Sequence, residues 1–130
     1  MTLDQIFIDS RDRCVKDPQF IPAFYHHLFK SSPEIEKFFT TIDMNRQQEM
    51  LKAALYELVD FENLTPDKME YWLNLSHIHH DLDIRQAHYD SWKQCLLASV
   101  EMHDPQFDEK VEQAWRLKLD QITSLMTLIY

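Results

Sequence analysis

The chain has 130 residues, enough for one hydrophobic core, and its 45% hydrophobic and 27% charged composition favours folding over disorder. A formal net charge of −9 argues against nucleic acid or an anionic membrane surface as a partner, because both reward a basic patch. Glycine is absent, which argues against hairpin-rich, dinucleotide-binding and phosphate-loop folds together, since each uses glycine where φ is positive.

Residues 3–16 read as a first helix, with Leu3, Ile6, Ile8 and Val15 at apolar positions. Pro18 and Pro22 mark a break, and residues 20–31 read as a second helix carrying Phe20, Phe24, Leu28 and Phe29. Three later breaks pair a capping residue with proline: Ser32-Pro33, Thr65-Pro66 and Asp104-Pro105. Ser, Thr and Asp accept hydrogen bonds from the unpaired N–H groups of a helix start, and proline in the first turn loses no needed donor. These breaks predict a short third helix over 33–39, a fifth over 66–80 and a last over 106–129. The fourth spans 43–60, with Met44, Leu51, Leu55 and Leu58 on one side, and the sixth spans 84–103 with Ile84, His88, Trp92, Leu96 and Val100. Phe107, Val111, Trp115, Leu119, Ile122 and Met126 line the last helix. The final two helices, joined at an Asp-Pro corner, read as an antiparallel pair. Seven helices with one very short member do not make a simple four-helix bundle, and residues 1–130 are expected to form a single all-α domain.

Cys14 and Cys95 stand apart from any Cys-x-x-Cys pair and suit a reducing compartment as free thiols. The opening residues lack the basic and apolar parts of a signal peptide, and no apolar run reaches the roughly 18 residues of a membrane span. The expectation is a cytoplasmic chain. Seven histidines are many for this length, and His77, His79, His80 and His88 lie close in sequence. They lack the spacing of a structural zinc site. They are either surface residues near a helix end, favoured there by the helix dipole, or a source of an imidazole ligand for a metal. Tyr25 and Phe39, fourteen residues apart, are aromatic core candidates. An inward tyrosine hydroxyl needs a partner and gives an apolar pocket a polar handle.

Several runs resemble the single-domain bacterial haemoglobins and the globin domains of flavohaemoglobins. The first is Phe24-Tyr25-x-x-Leu28-Phe29-x-x-x-Pro33-Glu34-Ile35-x-x-x-Phe39. The second is Asp43-Met44-x-x-Gln47-x-x-x-Leu51, and the third is Leu73-Asn74-Leu75-Ser76-His77. His88-Tyr89-x-x-Trp92 and the stretch from Asp104-Pro105 to Trp115 continue the match in order, so that it covers roughly residues 20–126.

The resemblance implies a globin fold around haem b, with Tyr25, Gln47 and Leu51 lining the gas side and Phe39 against the porphyrin. Leu73, Ile84 and a proximal histidine would lie on or near the other face. The leucine ladder selects His77 as iron ligand. Counting ten residues back from Tyr89 selects His79. Two positions turn a helix by about 200°, so both cannot face the iron. His77 is taken as the ligand, with His79 as the alternative. The implied ligands are O2, nitric oxide and carbon monoxide, serving gas binding, sensing or detoxification. Nitric oxide dioxygenation would need an external reductase, as the chain has no flavin or nicotinamide domain. The competing expectation is a haem-free globin fold used for protein interaction.

Overall fold

The computed structural model describes residues 1–58 and 65–128, which form α-helices with no strand among them. In chain order these are α1 (Leu3–Lys16), α2 (Phe20–Ser31), α3 (Pro33–Glu36), α4 (Met44–Glu57), α5 (Pro66–Asp81), α6 (Gln86–His103) and α7 (Glu109–Leu128). A 3-10 turn over Lys37–Phe39 carries α3 on to the end of the expected third element. The expected last residues of the fourth helix, 59 and 60, and residue 129 of the last lie outside the described residues.

Local chemistry sets most boundaries. Ser32 Oγ accepts from the Ile35 N–H at 3.3 Å, and Thr65 Oγ1 accepts from the Lys68 N–H at 3.3 Å, each directly before a proline. Asp43 caps α4 in the same way. The third Ser/Thr/Asp-Pro pair behaves differently. Asp104 closes α6, its carboxylate accepts from the Gln106 N–H in a turn, and α7 starts at Glu109, where Asp108 accepts from the Val111 N–H at 2.8 Å. The last helix therefore begins three residues later than expected, because Asp104 is held by α1 rather than by the next helix's amides.

The α5–α6 turn answers the absence of glycine. Asp83 takes φ of 60°, the left-handed region where glycine is usual. The Ile84 N–H bonds to the His79 carbonyl at 2.9 Å, and the Asp83 N–H bonds to the His80 carbonyl at 2.9 Å. This paired pattern is a Schellman motif that stops α5 at Asp81, with Leu82 as its cap, and brings Ile84 back beside His79. Ile84 thus precedes α6, which starts at Gln86 rather than 84.

The buried core runs through Phe7, Phe20, Phe24, Leu28, Leu55, Leu96, Val100, Trp115, Leu119 and Ile122. α1 and α5 pack against α7, α2 packs against α6, and α4 rests on α2. The inward face of α1 is not centred where the apolar residues suggested. Phe7 and Cys14 are fully buried with Ser10 and Arg11, while Ile8 and Val15 are only partly covered. The reason is tertiary. The Phe7 ring meets the Trp115 ring edge-on at 4.8 Å, and the Trp115 indole N–H donates to Ser10 Oγ at 2.8 Å. Among the described residues, no helix is long and apolar enough to cross a membrane.

Candidate functional site

The four neighbouring histidines separate by environment. Trp72 is 3% exposed and Ser76 is 1% exposed, so they define the inward side of α5. Ser76 Oγ donates to the Met126 carbonyl of α7 at 2.8 Å. With about 100° of turn per residue, His79 falls within about 60° of Ser76 and shares that side, whereas His77 turns about 100° the other way. His79 is accordingly half-buried, while His77 and His80 are exposed. His88 is occupied by other work. Its Nδ1 accepts from the Arg85 N–H at 2.8 Å at the start of α6, and its Nε2 lies 3.2 Å from the Glu34 carboxylate of α3.

His79 Nδ1 lies 3.1 Å from the Tyr89 hydroxyl. Burial pushes the His79 imidazole down to about 4, so it is neutral near pH 7. Burial pushes the Tyr89 phenol up to about 12, so it keeps its proton. The imidazole is thereby held through one nitrogen, and Nε2 on the opposite side of the ring remains for a ligand role. No group of three His, Cys, Asp or Glu side chains gathers among the described residues in a way that could hold a metal ion. A metal bound here through His79 needs other donors, as a porphyrin supplies.

The second half of the site comes from α2 and α4. Tyr25 is 5% exposed, and Gln47 Nε2 donates to its hydroxyl oxygen at 3.1 Å. Burial raises the Tyr25 phenol to about 12, against a smaller lowering by the Gln47 hydrogen bond. The Tyr25, Phe29 and Phe39 rings form a three-way cluster with centroid separations of 5.2 to 5.9 Å. Leu51, one turn after Gln47 on α4, is buried. Of the other expected wall residues, Ile84 is partly buried against the core and Leu73 is half-buried on α5.

Tyr25 and Tyr89 sit on α2 and α6, which pack against each other, so one helix contact carries both half-sites. Lys68 of α5 reaches Glu57 of α4 at 3.6 Å, linking the two helices that bear His79 and Gln47. The donor set fits a haem: one neutral imidazole already oriented by a hydrogen bond, apolar aromatic and aliphatic neighbours, and a separate pair of polar donors. From sequence, Tyr89 figured in the His88-Tyr89-x-x-Trp92 run and as a counting mark, without a role at the site. The signal for its contact with His79 was that same ten-residue spacing.

The helix order, the His79 imidazole oriented by Tyr89 and the separate tyrosine–glutamine pair define an all-helical protein of the globin type. The globin family model matches residues 22–126, and the chain belongs to the globin family. Among solved structures it is similar to a protein of Pseudomonas aeruginosa PAO1 described as structurally highly homologous to a human haemoglobin. Identity is 31%, the TM-score is 0.89, and the match covers 99% of this chain and 98% of that one. No curated protein matches the chain.

Proposed function

We propose that this globin binds haem b through His79 and takes a diatomic gas, O2, nitric oxide or carbon monoxide, on the side of Tyr25 and Gln47. The observation that carries the reading is the half-buried, neutral His79 held by Tyr89, two residues from the exposed His77. A metal ligand must present an unprotonated nitrogen, and burial has already removed the competing proton. With Nδ1–H donated to the Tyr89 oxygen, the tautomer and ring plane are set and Nε2 is the coordinating atom. His77, the first choice from the leucine ladder, gives way to His79 in this reading.

When bound, the haem would supply an iron able to coordinate both the His79 imidazole and a gas molecule. Tyr25 accepts from Gln47, so its own O–H stays available as a donor, as does the second Nε2 hydrogen of Gln47. Both favour a ligand that draws negative charge towards itself and slow its release. Phe39, Leu51, Leu73 and Ile84 offer apolar surface that keeps water from the site.

Adding haemin to the apoprotein should give a Soret band that shifts with carbon monoxide. His79→Ala should abolish that complex and His77→Ala should leave it. A band that survives His79→Ala overturns the axial assignment, and no band in the unaltered protein leaves a haem-free globin. Tyr25→Phe should speed oxygen release about 10- to 150-fold in stopped-flow, the equivalent of one charge-assisted hydrogen bond. An unchanged rate removes Tyr25 from the gas site.

A further inference from the structure

We infer that Ser76 is a positioning residue that makes the end of α7 set the placement of the axial histidine. The inference rests on the haem reading above and assigns control of its ligand to a contact outside the site. Ser76 is 1% exposed, and its hydroxyl donates to the Met126 carbonyl at 2.8 Å, across 50 residues of sequence. Met126 lies towards the end of the described part of α7 (Glu109–Leu128). The Ser76 hydroxyl reaches its carbonyl from a different helix.

Leaving a buried hydroxyl and a buried carbonyl without partners is costly, so the bond opposes both sliding and rotation of α5. His79 lies three residues further on, one turn along the same side. A small rotation of α5 about this anchor would carry the imidazole off the Tyr89 hydroxyl. Trp72, one turn earlier, is buried, yet its indole N–H has no hydrogen-bond partner among the described residues. It contributes bulk to the α5–α7 contact, while Ser76 contributes direction. At the other end, the Ile84 N–H holds the His79 carbonyl at 2.9 Å. The histidine is thus fixed along its helix by Ser76, at its backbone by the α5–α6 turn, and at its ring by Tyr89.

The test uses the full chain with Ser76→Ala, Ser76→Thr and Met126→Leu, each with and without haemin. Resonance Raman on the ferrous, gas-free form reads the iron–histidine stretch. Ser76→Ala should move or broaden that band and change carbon monoxide affinity about fivefold, the equivalent of one neutral hydrogen bond. In the apoprotein it should speed amide exchange along α5 around His79. Ser76→Thr keeps the hydroxyl and should restore the band, and Met126→Leu keeps the carbonyl and should leave it in place. A lowered melting temperature with an unmoved band in Ser76→Ala makes Ser76 a strut only and overturns the inference. An equal shift in Met126→Leu assigns the effect to side-chain packing and also overturns it. Absence of any Soret band in the unaltered protein refutes the haem reading instead, and unchanged α5 exchange in Ser76→Ala then overturns the anchor as well.

Discussion

His77 and His79 are separated by one residue, yet the first is exposed and the second half-buried. The globin-like leucine ladder favoured His77, with Leu73 one turn before it. The structure turns that stripe aside, since Trp72 and Ser76 are the residues α5 buries. A polar Ser76 at the centre of a buried face carries no apolar signal, so the pattern was shifted by its hydroxyl. His79 also gives a pH signature for the apoprotein. Its folded value near 4 lies below the ordinary 6.5, so between those values the unfolded chain binds the proton and the folded chain does not. Stability should be full above about pH 6.5 and fall as pH drops towards 4, by at most about 3 kcal/mol. Urea unfolding at a series of pH values checks this, and His79→Phe should flatten that segment.

At the scale of elements, Ser32 and Thr65 were readable as helix starts because an N-cap is a local contact between a side chain and amides two or three residues on. Asp104 has the same residue chemistry and the same proline after it, yet its oxygens serve Ser10, Arg13 and the Gln106 N–H. Nothing within a few residues of Asp104 announces a partner on the first helix. The turn after α5 was equally unmarked, since it places aspartate where glycine is usual. Asp83→Gly should relieve the left-handed backbone at φ of 60°. The Arg85 ion pair lost with it is exposed and weak. The expected outcome is a rise of about 2 °C in the melting midpoint by calorimetry, with Asp83→Val lowering it.

Across the whole molecule, the first helix is tied to the α6–α7 corner by a buried ionic cluster. Arg13 Nε donates to Asp104 at 2.7 Å, Ser10 Oγ donates to it at 2.6 Å, and the Trp115 indole reaches Ser10 in turn. Burial by itself would raise the Asp104 carboxyl, but the Arg13, Ser10 and Gln106 hydrogen bonds outweigh it and hold the group below the usual carboxylate range. Its contribution is therefore present above about pH 4 and lost as pH falls through the lower folded value, distinct from the His79 window. Asp104→Ala should cost about 3 kcal/mol in denaturant unfolding, because Arg13 is left facing a partly buried gap. A loss near zero would show that α1 docks through Phe7 and Trp115 alone.

The all-helical class and most helix boundaries were legible in the linear chain, while Tyr25 and Gln47 were picked out as a pair only through the family resemblance. Capping, proline placement and apolar periodicity act over three to eight residues and need no knowledge of the rest of the fold. The facing of α1, the start of α7 and which of His77 and His79 is turned inward were not legible. Each depends on a contact made across at least 50 positions: Ser10 with Trp115, Asp104 with Arg13, and Ser76 with the Met126 carbonyl. A buried polar group goes where its partner is, and that partner exists only after the helices have packed.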